Sequence, residues 1–194
     1  MKKDIILAGV GGQGILSIAA IIGTAALDMG LSLKQSEVHG MSQRGGDVSS
    51  NLRISDIDIY SDLIPCGKAD MIVSVEPMES LRYLPMLSPE GWLITNSTPF
   101  VNIPNYPDKE KVLEEVRKFS KHVLINADEI AKELGSEKSA NMVILGAAAP
   151  YLEIAFEKFE DAIRAIFKNK GQDVIDVNLN ALRAGRDFAL KQAK

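Results

Sequence analysis

The N-terminal thirty residues carry the strongest hydrophobic pattern of the chain. Asp4 to Ala8 is an apolar run that stops at Gly9, and from Ile5 to Leu27 no charged side chain occurs. A short run that is apolar at every position, not at alternate ones, marks a strand buried on both faces of a parallel sheet. Ile15 to Met29 then reads as a helix that stops at Gly30. That helix is apolar almost all round. It must be covered by the sheet on one side and by something else on the other, either more of its own domain or a partner chain.

Further along, Leu33 to Val38 reads as a second strand. Val48, Leu52 and Ile54 mark a third, with Ile57-Asp58-Ile59-Tyr60 alternating like a partner to it. Ala69 to Val75 predicts a strand ending in Glu76-Pro77, Glu79 to Met86 a short helix, and Gly91 to Thr95 another buried strand. Pro104 and Pro107 place 102–108 in a surface loop. Lys109 to Lys121 predicts an amphipathic helix and His122 to Ile125 a strand. Asp128 is a candidate cap for a helix that Gly135 stops. Ala140 to Ile154, Phe156 to Lys170 and Asp176 to Gln192 predict three closing helices. Strands alternating with helices, then a helical C-terminal third, predict an α/β chain. The expected architecture is one Rossmann-like, doubly wound domain over 1–194 with a mainly parallel sheet.

Composition narrows the functions open to such a fold. The net charge of −4 over 194 residues, with a pI near 5.3, gives nucleic acid little to attract it. Lys2-Lys3 ahead of the uncharged run imitates a signal peptide. Asp4 spoils its basic lead, however, and Gly11, Gly12 and Gly14 would break its helix, so a cytoplasmic chain without a membrane segment is expected. The one cysteine, Cys66, excludes an internal disulfide, and a lone thiol cannot hold an iron–sulfur cluster or a thiolate zinc site. It is read as a small core hydrophobe. No metal-spaced set of His, Asp and Glu is visible, and no nucleophile–base pair.

The glycines of "LAGVGGQGI" fit the GxGxxG turn of dinucleotide-binding folds. Gly9 would permit the tight turn, Gly11 a close approach of ligand to backbone, and Gly14 close packing of helix on strand. The helix N-terminus behind the turn would favour phosphate or carboxylate. Glu37, about 20 residues further on, would suit a ribose hydroxyl and gives an NAD reading. That fingerprint does not demand Gly12 and Gln13, and the Gln13 amide can bridge to another loop or chain. The plainer alternative is that the glycines serve packing alone.

A second polar loop, Glu37-Val38-His39-Gly40-Met41-Ser42-Gln43-Arg44-Gly45-Gly46, should emerge on the same carboxyl edge of the sheet. Arg44 offers a bidentate cation for carboxylate or phosphate, and Gly45-Gly46 an anion-binding concavity of backbone N–H groups. His39 is the one histidine near this site, so general acid–base work by His39 with Glu37 is conceivable, against a plain role in loop structure. Glu76, Asn96-Ser97-Thr98 and Asn141 also fall at strand or helix ends, where capping is the simplest role. His122 carries no functional signal.

"GVGGQGI" followed by "EVHGMSQRGGDVSSNLRIS" resembles the gamma-type domain of the 2-oxoacid:ferredoxin oxidoreductases, and the "VHGMSQRGG" form is most similar to the indolepyruvate-type members. "KADMIVSVEPMESLRYLPML" and "SANMVILGA" extend the resemblance over most of the chain. It implies a non-autonomous piece of an enzyme. A larger partner subunit would carry thiamine diphosphate, magnesium and the iron–sulfur clusters. The complex would oxidatively decarboxylate an aryl 2-oxoacid such as indolepyruvate, make an acyl-CoA from coenzyme A and reduce ferredoxin. Gly9, Gly11, Gly12, Gln13 and Gly14, with Ser42, Gln43, Arg44, Gly45 and Gly46, would then face coenzyme A or the partner. The rival readings are a free-standing NAD(P)-dependent dehydrogenase and a non-catalytic nucleotide-binding module.

Overall fold

In the computed structural model, residues 1–40 and 45–192 are described. The strands are β1 (Lys2–Val10), β2 (Ser32–His39), β3 (Asp47–Ser55), β4 (Ala69–Ser74), β5 (Leu87–Asn96) and β6 (His122–Ile125). The helices are α1 (Ile15–Asp28), α2 (Pro77–Arg82), α3 (Lys109–Arg117), α4 (Ala127–Glu133), α5 (Ala140–Ala148), α6 (Phe156–Phe167) and α7 (Gln172–Gln192). All six strands form one sheet in the order β2–β3–β1–β4–β5–β6. β3 pairs antiparallel with both its neighbours, and every other pairing that joins β1, β4, β5 and β6 is parallel. Five strands therefore point one way and β3 alone runs against them. The sheet is mainly parallel, as expected.

The central strands are apolar at every position because both faces are covered. Successive side chains leave a strand on opposite sides. Ile5, Leu7, Met71, Val73 and Ile94 accordingly enter a core under α1, α4, α5, α6 and α7. Ile6, Ile72 and Leu93 enter a second, smaller core with Val116 of α3 and Leu81 of α2. The helical C-terminal third thus caps one face of the sheet, and only α2 and α3 cap the other. α5 and α7 cross almost backbone to backbone. A Cβ on Gly146 would lie 1.9 Å from the Leu182 carbonyl oxygen, and one on Gly185 1.9 Å from that of Val143.

Topology departs from the dinucleotide fold at one place. After β1 and α1 the chain passes to the edge strand β2, then returns as β3, which fills the gap beside β1. This insertion corrects the reading of Ile57–Tyr60 as a strand. Both sides of β3 are already paired, so 57–60 has no partner and runs exposed, with Tyr60 92% accessible. Cys66 is exposed as well, not buried in the core. It lies on the amino edge in the β3–β4 connection, with its Sγ 3.8 Å from Met86 Sδ. The Arg53 guanidinium holds that connection through the carbonyls of Ser61 and Leu63, each at 3.0 Å. Arg53 is itself paired with buried Asp4 at 2.7 Å. No helix among the described residues is long and apolar enough to cross a membrane.

Candidate functional site

The carboxyl ends of β1, β2, β4, β5 and β6 and the start of β3 form one edge, and the glycine turn lies at its centre. Gly14, at φ +78°, caps α1 in the left-handed region with no side-chain cap. Its carbonyl accepts from Asn141 Nδ2 at 3.2 Å. Asn141 is therefore a buttress of the turn from α5, not the cap of that helix, whose N-cap is Ser139. Gln13 Oε1 accepts from the Val10 N–H at 2.8 Å and closes the turn on itself. A Cβ on Gly9 would strike Val75 Cγ2 at 2.4 Å, so this glycine serves close packing. Gly12 is exposed and left-handed at φ +102°.

The second loop does meet the first. The Gly11 N–H donates to the Gly46 carbonyl at 2.9 Å, and the Gly40 N–H to the Asp47 carbonyl at 2.8 Å. Gly45 is also left-handed, and its carbonyl accepts from Asn102 Nδ2. Ser42, Gln43 and Arg44 lie outside the described residues. Glu37 and His39 sit on the exposed end of β2, where His39 Nε2 approaches Glu37 Oε2 at 3.2 Å and Gln35 Nε2 holds Glu37 Oε1 at 2.6 Å.

A feature without a clear sequence signal crosses the same edge. The segment between β5 and α3 arches over β4, anchored on Glu76 (0% exposed). Glu76 Oε2 caps α2 through the Glu79 N–H at 2.8 Å, and its Oε1 accepts from the Phe100 N–H at 3.3 Å and from the Tyr106 hydroxyl. Burial pushes the Glu76 carboxyl up, against the pull of these donors. Burial, then the adjacent carboxylate, pushes the Tyr106 phenol up. The cap was legible from "VEP"; the tie to a tyrosine thirty residues away was not. Nearby, Asn96 Nδ2 donates to Asp128 Oδ2 at 2.6 Å and Asn96 Oδ1 accepts from the Ala127 N–H at 3.1 Å. Asp128 is therefore not the cap of α4, a role taken by Asn126.

Two clefts flank the turn. One, of about 820 Å³, lies between Gly12–Gly14, Asn141 and the start of α7 at Asp173 and Asn178. The other, of about 620 Å³, is lined by Gly11, Gly12, Leu16, His39 and Gly40. The NAD reading fails on topology. In a dinucleotide fold the acidic residue ends the strand beside β1, but here β3 occupies that place and β2 lies one strand further out. Glu37 therefore lies about one strand spacing, roughly 5 Å, beyond that place, and its carboxylate is engaged by Gln35 and His39.

Residues 4–188 match the family model for pyruvate ferredoxin/flavodoxin oxidoreductases. The chain is 37% identical over 199 residues to indolepyruvate oxidoreductase subunit IorB of Archaeoglobus fulgidus, covering 98% of this chain and 96% of that one. It is 32% identical to ketoisovalerate oxidoreductase subunit VorA of Methanothermobacter marburgensis, where it spans 95% of its own length but 36% of the relative. Among solved structures, the gamma subunit of a keto/oxoacid ferredoxin oxidoreductase from Geobacter sulfurreducens superposes with a TM-score of 0.72 at 26% identity, covering 97% of this chain and 99% of that one. The chain belongs to the pyruvate ferredoxin/flavodoxin oxidoreductase family. Its homologues are subunits of multi-subunit 2-oxoacid oxidoreductases, and the fold is that of their gamma subunits.

Proposed function

We propose that residues 1–194 act as one gamma-type domain, the small subunit of an indolepyruvate-type 2-oxoacid:ferredoxin oxidoreductase in the cytoplasm, inactive without a larger catalytic subunit. The observation that carries this is near-full-length identity to an indolepyruvate oxidoreductase subunit, on a chain whose carboxyl edge is built from two interlocked glycine loops. The residues present do not fit the family's redox groups. An iron–sulfur cluster needs several thiolates, and the chain has one cysteine. Among the described residues no group of three or more His, Cys, Asp or Glu is arranged to hold a metal. On this reading thiamine diphosphate with its magnesium, and the clusters, are carried by the partner. What this chain supplies is a wall of the shared site: the turn of Gly9, Gly11, Gly12, Gln13 and Gly14, with Ser42, Gln43, Arg44, Gly45 and Gly46, facing coenzyme A or the partner's polar loops.

The test is reconstitution. The purified chain alone should reduce no viologen dye with indolepyruvate and coenzyme A, and the co-expressed pair should do so. Full activity of the isolated chain, or micromolar binding of NADH by fluorescence titration, would overturn the reading.

A further inference from the structure

Helix α1 is covered on three sides by its own chain and open on the fourth. Ile15, Ile18, Ile22, Ala25 and Ala26 pack into the core. Gly23 lies close against Leu33 of β2, and Asp28 is paired with Lys158 of α6. Between these two flanks, Leu16, Ala20, Thr24 and Leu27 recur at i, i+4, i+8 and i+11, within an arc of about 80° on a helix of 3.6 residues per turn. Leu16 is 45% exposed and Leu27 58% exposed; Ala20 is exposed and Thr24 half-buried. The open faces of α3, α6 and α7 carry Lys, Arg, Asp and Glu, the ordinary covering of a helix in water. This stripe carries no charge along its whole length of about 17 Å. An uncharged apolar stripe of this kind marks a contact surface.

Three observations say what covers it. The stripe runs directly into the cleft over the glycine turn, because Leu16 lines both, so it is continuous with the edge assigned above to the shared site. It is also small. One helix face about 17 Å long and 10 Å wide offers on the order of 170 Å², against about 800 Å² per partner for a stable interface. A second copy of this chain held by α1 alone would not stay bound, whereas a partner that also spans the carboxyl edge would. Finally, the VorA relative carries this domain within a polypeptide of which it is 36%, so there a larger stretch of chain is attached to the same fold.

We propose that the Leu16–Ala20–Thr24–Leu27 face of α1 receives an apolar helix of the larger catalytic subunit, as the margin of an interface that continues over the glycine turn. The small side chains of Ala20 and Thr24 lie between Leu16 and Leu27, and a ridge of larger side chains at i and i+4 on the partner helix would pack over them. The inference rests on the proposed function and specifies the partner surface of the same edge.

The test uses the co-expressed pair, with Ala20→Arg and Leu27→Glu as separate variants and Tyr60→Arg, on the opposite edge, as control. Both α1 variants should lower the yield of co-purified large subunit by about tenfold or more and lower dye-reducing activity in proportion. Circular dichroism and thermal midpoint of the isolated small chain should stay at wild-type values, and Tyr60→Arg should assemble normally. Wild-type assembly and activity in both α1 variants would overturn the inference while leaving the proposed function standing. An isolated chain that is dimeric and becomes monomeric on Ala20→Arg would also overturn it, in favour of a second copy. Failure of the wild-type pair to associate at all would remove the proposed function, and the docking face with it.

Discussion

Replacing Gly14 by alanine tests the turn at the centre of the edge. At φ +78° an alanine costs about 1–2 kcal/mol for the left-handed backbone. Its Cβ would also fall 2.4 Å from Asn141 Nδ2. The asparagine must move away and give up its 3.2 Å bond to the Gly14 carbonyl, a further ~1 kcal/mol. Stiffening of the unfolded chain returns about 0.5 kcal/mol. The net loss is about 2 kcal/mol, or about 4–8 °C in thermal midpoint for a chain of this size. In an Asn141→Ala background there is nothing to displace, so only the backbone cost is left and the same substitution should cost about 1 kcal/mol. Urea unfolding of the four proteins reads the coupling directly. An equal cost in both backgrounds would show that Asn141 does not buttress the turn, and no cost in either would show that the turn is not left-handed.

Other outcomes follow from the same structure. Gly185→Ala sets about 1 kcal/mol of helix propensity against a Cβ 1.9 Å from the Val143 carbonyl, worth about 3 kcal/mol of overpacking; a net loss of about 2 kcal/mol is expected in urea, and a more stable variant would refute the close crossing. Asp4→Ala strands Arg53 and should cost about 3 kcal/mol, with faster proteolytic cleavage in 56–64, since Asp4 positions the guanidinium that holds this connection; an uncleaved loop would refute that link. Burial raises the Glu76 carboxyl in the folded state, so its contribution to stability is present below the ordinary carboxylate range and is lost as pH rises through the raised value. The stability of wild type relative to Glu76→Gln should therefore decline as pH rises above the ordinary carboxylate range, and parallel pH profiles would contradict this. Arg44→Ala in the assembled complex should weaken coenzyme A or subunit recognition by about 1–3 kcal/mol, read as KM for coenzyme A and as complex yield; unchanged values for both would take Arg44 out of the site.

The sequence was most legible where pattern is local. The runs around Ile5–Ala8 and Met71–Val75 are apolar at every position because helices lie on both faces, and a strand so buried needs no further signal. "VEP" announced a helix cap by its chemistry, and Glu76 is one. The GxGxxG spacing placed the turn correctly, since the glycine requirement is a backbone property written into the residues themselves. Legibility failed where pairing decides. Ile57–Tyr60 alternates like a strand yet has no partner, and Cys66 lies exposed on the amino edge because the connection that carries it does. Asn141 and Asp128 sit where caps belong, but each bonds to a distant residue that no window of sequence contains.

The chain's own order of residues determined the class of fold, the position of the glycine turn, the family, and the lack of ligand cysteines for a cluster, since each depends on local periodicity, residue chemistry or composition. Only the tertiary structure decided where Glu37 stands relative to the turn. By placing antiparallel β3 between β1 and β2 it moved Glu37 away from the position a ribose would need, a consequence of strand order that spacing along the chain does not encode. It also decided which side of α1 is open. Apolar all round in sequence, the helix shows one uncharged stripe only after the sheet, β2 and α6 have taken the rest, because burial is a property of neighbours.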